Sequence, residues 1–278
     1  MDRLTPRQQE IVALARSTGR VVVDDLAARF DVTPQTIRKD LNELCDRRLL
    51  ARTHGGATVA GGLDDVDYEA RRFLAQDAKR AIGRAAARLT PQGASLFLNV
   101  GTTTEEVARA LSDHDGLTVV TNSLNVASLL HRHPRIDVVV AGGSVRRADA
   151  GIVGEPAVDL VNRFKVDVAV LGVSAIDPEG ALLDHDYREA LVSQAMIANA
   201  REVFLVADRL KLQRTAPVRI GHLSQIDVFV TDRVDAPAFA ALCRQHDVRV
   251  VETEARIAPQ APAQASAGST ARASAADA

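Results

Sequence analysis

The sequence predicts an α/β chain in two parts, an N-terminal winged helix-turn-helix and a larger C-terminal α/β domain, and three observations predict it. A capped amphipathic helix over residues 33–45 follows two shorter helical patterns and precedes a Gly-Gly turn between short apolar runs. From residue 95 onward, short apolar strands alternate with amphipathic helical windows, the pattern of a mainly parallel sheet covered by helices. Between and after these parts the composition changes. Residues 58 to 73 hold Gly61-Gly62, Asp64-Asp65 and Asp67 with few large apolar groups, and residues 258–278 hold no Val, Ile, Leu, Met or aromatic residue. The expected division is therefore 1–57 for the winged unit, 58–75 for a linker, 76–253 for the α/β domain and 254–278 for a disordered tail.

In the first part, Thr5-Pro6 opens a helix with Ile11, Leu14 and Ala15 on one side, and Gly19 stands where a helix C-terminus is expected. Val21-Val22-Val23 reads as a short strand. Asp24 or Asp25 starts a second helix with Leu26, Ala27 and Phe30 inward, and Asp31-Val32 is a tight turn. The third helix begins at a definable residue, because the Thr33 hydroxyl can accept from a free first-turn amide and Pro34 needs no N–H there. Ile37, Leu41 and Leu44 fall on its inner face, with Cys45 at the margin, while Gln35, Arg38, Lys39 and Asn42 project outward. Leu49–Thr53, His54-Gly55-Gly56 and Ala57–Val59 then read as strand, hairpin turn and returning strand, which makes a wing.

Any surface helix has a polar face, so the neighbourhood decides its meaning. The formal charge of −2 gives no global polycation, and nucleic-acid contact must come from a local patch. Arg38, Lys39, Arg47, Arg48 and Arg52, against Asp40, Glu43 and Asp46, supply one. Amides and short polar groups at a helix N-terminus reach base edges and phosphates, and Arg or Lys farther along adds charge-assisted contacts. Candidate DNA-binding residues are Thr33, Gln35, Thr36, Arg38, Lys39 and Asn42, with Arg52 and His54 of the wing. A packing module of three helices is the competing reading.

In the second part a helix resumes from Asp77 through Leu89, with Ala78, Ile82, Ala85 and Ala86 inward and Lys79 and Arg80 more exposed. Strands are expected at Ser95–Val100, Leu117–Thr121, Ile136–Ala141, Asp167–Val173, Val203–Ala207, Asp227–Val230 and Arg249–Val251. Ligands of such sheets collect beyond the C-terminal strand ends, which directs attention to the following loops. Gly101-Thr102-Thr103-Thr104 opens a helix after the first strand, and its successive amides and hydroxyls suit a phosphate. Asn99 precedes it. Thr121-Asn122-Ser123 ends the second strand, and Gly142-Gly143-Ser144 the third, with Arg146 beyond. Gly154-Glu155 closes a flexible segment, Asp184, Asp186 and Tyr187 precede a long helix, and Asp208 stands before Lys211. These loops form the candidate site for a phosphorylated polyol. Singly, each is also what a turn, a helix cap or a surface ion pair shows.

Other classes find less support. The N-terminus lacks the apolar core of a signal peptide, and the longest apolar stretch, near Val166–Ile176, is broken by Asp167 and too short to span a bilayer, so a cytoplasmic protein with no membrane partner is expected. Cys45 and Cys243 lie in helical patterns beside apolar residues and read as buried free thiols. His131 and His133 have no third ligand nearby, so neither metal nor cofactor is expected. Asp184, Asp186 and Glu155 would be the carboxylate bases of an isomerase-like enzyme, but no catalytic constellation accompanies them.

The run from Val32 to Leu44, followed by Arg52-Thr53-His54-Gly55-Gly56-Ala57, closely resembles the DNA-binding domain of DeoR-family bacterial transcription regulators. The family usually has Ser at position 33 and a second Arg at position 39; Lys39 keeps the charge without the bidentate geometry. Thr121–Ala127, Asp149–Glu155, Phe164–Asp167 and Leu182–Tyr187 resemble the sensor domain of the same family, which looks like the sugar-phosphate isomerase fold used for sensing. Departures are Asn99 for the usual Asp, Ala175 for Gly and Leu210 for Ser. Asn99 removes a charge beside the anion loop and is expected to change which ester fits. The resemblance covers about Thr5 to Asp232. It implies a repressor, not an enzyme, that binds double-stranded operator DNA and is released by a phosphorylated metabolite. Glycerol 3-phosphate is the leading candidate, with other sugar phosphates left open. Helix-turn-helix proteins read pseudo-palindromes as dimers, so a homodimer or homotetramer is expected.

Overall fold

The computed structural model describes residues 4–253 except 19, 48, 54 and 60–67. The Gly19 helix end, His54 of the wing turn, the Gly61–Asp67 run and the tail read at 254–278 lie outside the described residues.

The first part contains α1 (Pro6–Thr18), β1 (Arg20–Val22), α2 (Val23–Phe30), α3 (Pro34–Asp46), β2 (Leu50–Thr53) and β3 (Gly56–Val59). Val23 starts the second helix instead of ending the strand, one or two residues earlier than the aspartates predicted. Thr33 caps α3, its Oγ1 accepting from Thr36 N–H at 3.3 Å, with Pro34 in the first turn. Such a cap is worth about 1 kcal/mol. Ile11, Ala15, Leu26, Ile37, Leu41, Leu44 and Leu50 are fully or almost fully buried in one small core. The wing strands pair antiparallel, and β1 adds to them, giving the order β1-β3-β2. Gly56 is required by this closure, because a Cβ there would lie 1.9 Å from the Val21 carbonyl oxygen.

The stretch read as linker carries a helix, α4 (Tyr68–Phe73), after which α5 (Gln76–Leu89) leads into the sheet. Seven parallel strands, β4 (Ser95–Leu98), β5 (Leu117–Thr121), β6 (Ile136–Val140), β9 (Val166–Leu171), β12 (Ala200–Val206), β14 (Val228–Thr231) and β15 (Arg249–Glu252), lie in the order β15-β14-β12-β9-β4-β5-β6. They are the seven that the sequence predicts, within a few residues at each end. Alternation along the strands feeds two cores. Leu96 and Leu98 of β4 and Val168 and Val170 of β9 pack with α5, α6 (Thr102–Ala110) and α7 (Leu124–Leu130). Phe97, Ala169 and Leu171 face the opposite way, against α8 (Glu155–Val161), α9 (Tyr187–Ala198) and α10 (Pro237–Gln245). Burial on both faces is why these strands read as continuous apolar runs.

Two small antiparallel sheets are additions that the pattern did not predict. One is the hairpin β7 (Ser144–Arg146) with β8 (Gly151–Val153), and the other is β10 (Ala175–Ile176), β11 (Ala181–Asp184) and β13 (Val218–His222). Lys79 is a correction. It is 3 % exposed, on the inner face of α5 beside Ile82 and Gly83, whereas Arg80 is exposed as expected. No helix among the described residues is long and apolar enough to cross a membrane.

Candidate functional site

Strand order reverses between β4 and β9: from β4 the chain steps outward through β5 and β6, and from β9 outward through β12, β14 and β15. Ligand crevices of open α/β sheets form beyond the strand ends at such a point. A cavity of about 420 Å³ lies there, lined by residues that include Tyr68, Arg71, Val100, Gly101, Thr102, Thr103, Arg146, Asp149, Gly172, Ser174, Asp184, His185, Asp186, Glu189, Lys211 and Arg214. It therefore gathers the Gly101–Thr103 loop, Arg146, Asp184, Asp186 and Lys211 from the sequence-predicted set.

Part of the cavity wall is cationic. Gly101 caps α6, whose first amides have no acceptor within the helix. Lys211 sits on the 3₁₀ turn Arg209–Gln213 and is pushed down to about 7, chiefly by burial and then by the Arg214 charge, with Lys79 and Arg71 adding to the effect. Burial likewise brings Lys79 down to about 8. Asp208 opposes both shifts through its charge. Several cations held close together without enough counter-charge make a place where an anion is stabilised.

Another part of the wall is a carboxylate cluster organised by Arg146. Its guanidinium grips Asp149 with two bonds, Nε to Oδ1 at 2.8 Å and Nη2 to Oδ2 at 2.7 Å. It also contacts Glu189 Oε2 and reaches Asp186 Oδ2 at 3.3 Å. Buried among these acids, Arg146 is held above its ordinary range. Glu189 is pushed up to about 8 by burial and the nearby Asp184, against the pull of Arg146. Asp186 is instead held down at about 2 by bonds from Arg188 and Arg146, which outweigh burial. Asp184 and Asp186 also support the loop itself: Asp184 Oδ1 accepts from His185 N–H at 2.6 Å, and Asp186 Oδ1 caps α9 through Arg188 N–H at 2.8 Å.

Several candidate residues stand behind the cavity. Asn99 is fully buried and ties β4 to β9: its Oδ1 accepts from Gly172 N–H at 2.8 Å, and its Nδ2 donates to Gly172 O at 2.9 Å. Thr104 Oγ1 bridges the Asn99 and Gly101 carbonyl oxygens at 2.8 Å each, which fixes the loop from below. Thr121 Oγ1 donates to Leu98 O at 2.7 Å, and Asn122 Nδ2 to Ile152 O at 3.1 Å, so both join strand ends. Asp208 is buried and caps the turn that carries Lys211, itself buried, so neither residue lies on the surface. Gly142 and Gly143 flank the entrance to β7, Gly154 caps α8, Glu155 is exposed, and Tyr187 is 65 % exposed. None of these five lines the cavity.

Sequence reasoning missed Arg71, Asp149, Glu189 and Arg214. Glu189 lies one turn from Asp186 on an apolar helix, and an acid buried in such a pattern is itself a signal. The others offered no spacing to follow.

In the first part, Gln35, Arg38, Lys39 and Asn42 are exposed on one side of α3, Thr36 is half-buried, and Thr33 serves as the cap. Arg52 is exposed on the adjoining wing strand. Asp40 points inward and is buried, accepting from Arg7 Nε at 2.6 Å. Cys45 and Cys243 are free thiols, and among the described residues no group of three or more His, Cys, Asp or Glu could hold a metal ion.

Comparison with known proteins gives the family of both parts of the chain. Residues 7–61 match the DeoR-like helix-turn-helix domain, and residues 74–233 match the DeoR C-terminal sensor domain. The chain is 44 % identical to the glycerol-3-phosphate regulon repressor of Haemophilus influenzae over 82 % of its own length and 89 % of that relative's. It is 38 % identical to the glycerol-3-phosphate regulon repressor of Escherichia coli K12, over 88 % of this chain and 98 % of that one. The HTH-type transcriptional repressor CsqR of the same organism is 37 % identical, over 88 % and 94 %. Solved structures give a looser likeness. Ribose 5-phosphate isomerase A of Neisseria gonorrhoeae aligns with 53 % of this chain and 56 % of its own at 15 % identity, with a TM-score of 0.38. With its reader and sensor domains both matched and its full-length relatives named as repressors, the chain belongs to the DeoR family and is a transcriptional regulator, not an enzyme.

Proposed function

We infer that this repressor leaves its operator when a phosphorylated polyol, with glycerol 3-phosphate the first candidate, fills the cavity at the β4/β9 crossing. The observation that carries the reading is the cavity's mixed lining. Unpaired helix amides and Lys211 suit a phosphate dianion, and the carboxylates around Arg146 suit hydroxyl groups. A ligand with a charged group and hydroxyl groups fits both. Relatives named for the glycerol-3-phosphate regulon support the choice of ester. The nearly equal identity to CsqR, a repressor whose name does not mention that regulon, keeps other phosphate esters in the test.

The reader is the winged unit of residues 1–57, the sensor is residues 76–253, and the regulator works in the cytoplasm as a homodimer or homotetramer on a pseudo-palindromic operator. Release requires the ester to bind the DNA-free state more tightly than the DNA-bound state.

The test is operator binding at fixed salt against a panel of phosphate esters. Release by glycerol 3-phosphate at lower concentration than by hexose or pentose phosphates supports the assignment. Release by another ester alone replaces the ligand, and insensitivity to every ester overturns the reading. Thr103→Ala, which removes a hydroxyl from the cavity wall, is expected to raise the ester concentration needed for release while leaving ester-free operator affinity in place.

A further inference from the structure

Helix α4 closes one side of the cavity, and the role inferred for it rests on the effector reading of that cavity. Arg71 of α4 lines the cavity and reaches Asp149 Oδ2 at 3.5 Å. Its buried Nε has no hydrogen-bond partner. Its side chain nevertheless keeps 27 % of its surface exposed beside the cavity and meets Asp149 only at 3.5 Å, so the guanidinium has N–H donors to offer an acceptor that enters.

The rest of α4 is tied to residues that build the cavity. Tyr68 Oη donates to Glu105 Oε1 at 2.5 Å, and Glu105 belongs to the first turn of α6, directly after the Gly101–Thr104 loop. Tyr68 Oη also accepts from Asn125 Nδ2 at 2.7 Å, and the same Nδ2 lies 3.1 Å from the Asp149 carbonyl oxygen. Lys79, buried on α5, donates to the Arg71 carbonyl. Polar bonds to the anion loop on one side and to the Asp149 segment on the other thus hold a six-residue helix. In chain order only residues 60–67 separate that helix from the wing strand β3.

We propose that Arg71 contacts the anionic group of the effector and that α4, anchored through Tyr68, Glu105 and Asn125, carries occupancy of the cavity to the DNA-reading unit. An anion that accepts from Arg71 draws the guanidinium away from Asp149, which keeps Arg146 as its partner. The Asp149 segment and the first turn of α6 then settle around the ligand. The first turn of α6 holds Tyr68 directly through Glu105 and the Asp149 segment holds it through Asn125, so α4 is reset with them. The sensor's signal leaves through the segment nearest the reader.

The experiment is amide hydrogen exchange on the full chain with and without glycerol 3-phosphate, together with calorimetry. Slower exchange at both 101–105 and 69–74 is the expected result. Slower exchange at 101–105 with 69–74 unchanged overturns the proposal and leaves the effector reading standing. No calorimetric binding and no change at either segment overturns both.

Two variants separate contact from transmission. Arg71→Gln is expected to lower ester affinity by about tenfold or more, the factor a charge-assisted hydrogen bond carries. Asn125→Ala, outside the cavity, is expected to keep ester affinity within roughly threefold while raising the ester concentration for half-release of operator by about tenfold. If Asn125→Ala moves both quantities by the same factor, or moves neither, α4 is only a structural wall and the coupling is refuted.

Discussion

Arg52 Nε on the wing strand donates to Asn42 Oδ1 on the recognition helix at 3.0 Å, and its Nη2 reaches the Arg38 carbonyl oxygen at 3.3 Å. Helix and wing therefore present one surface, with the wing arginine braced against the helix that carries Arg38. Arg38 itself is exposed and has no ion pair among the described residues. Arg38→Ala is expected to cost about 1–3 kcal/mol of operator binding, read by fluorescence anisotropy at fixed salt, with ester binding unchanged. An equal loss on unrelated DNA would assign Arg38 to the phosphate backbone instead of the bases.

Gly56 gives a second prediction for the same unit. A Cβ would meet the Val21 carbonyl at 1.9 Å, so Gly56→Ala must separate β3 from β1. Operator binding is expected to collapse while calorimetric ester binding persists, because the clash lies in the winged core. Full operator affinity in this variant would mean that the three-stranded pairing does not matter for reading.

Asp40 is a structural acid on the inward side of α3. Its carboxylate is 8 % exposed and bound to Arg7, whose side chain is 34 % exposed and can return to water if stranded. Asp40→Ala is therefore expected to cost about 1–3 kcal/mol in thermal or denaturant unfolding, below the cost of breaking a fully buried pair. A change within the error of the melt would count against this inward role.

Asn99 spans the strand crossing with both ends of its amide. Asn99→Asp keeps the acceptor for Gly172 N–H but loses the donor to Gly172 O, at an expected cost of about 1–3 kcal/mol near neutral pH. Protonation restores the donor, so the folded-state pKa of the new carboxyl rises above its unfolded value. Its penalty is absent below the unfolded pKa and grows as pH rises through that value toward the folded pKa. Unfolding at pH 5 and pH 8 should show the larger loss at pH 8, and a pH-independent difference would refute the account.

Lys211 makes ester binding pH-dependent on the alkaline side. Its free-state value of about 7, set by burial with Arg214, Lys79 and Arg71 against Asp208, rises when a dianion binds, so the complex holds more protons above pH 7. Ester affinity should fall as pH rises from 7 toward 9, and calorimetry in buffers of different ionisation heat should detect proton uptake at pH 8. Below about pH 6 the ester loses its second charge and affinity falls again. Lys211→Arg, permanently charged, should flatten the alkaline limb; an unchanged limb would assign the proton to another group.

The parts that the sequence made legible are those where one physical rule acts alone. Thr33-Pro34 marks a helix start by cap chemistry, and the parallel strands announce themselves because both faces are buried. The antiparallel additions were hidden for the opposite reason: Ala175–Ile176 is two residues long and has no period to detect. Lys79 was placed outside because a lysine on an amphipathic helix is ordinarily solvated, and only the tertiary neighbourhood of Asp208 and the Arg71 carbonyl reverses that. Arg71 was overlooked because it follows a Gly- and Asp-rich run that reads as linker, although the helix it sits on closes the cavity. The Gly101–Thr104 turn was legible as a helix start after a strand, and the structure places it on the cavity wall. Asn99 beside it was read as a ligand contact, but the structure gives its amide to Gly172.

The strand order also sets a timetable. All pairings of the winged unit lie within residues 20–59, so its contacts are complete early in synthesis. The Gly101 loop emerges soon after, but its opposite wall, from Gly172 to Arg214, is made much later, and the β4–β9 pairing cannot form without β9 itself. Reading is thus assembled before sensing. A chain interrupted between Val59 and Arg214 keeps the strand pairings that shape its reader and lacks part of the cavity wall, so the failure this architecture invites is deafness to the signal.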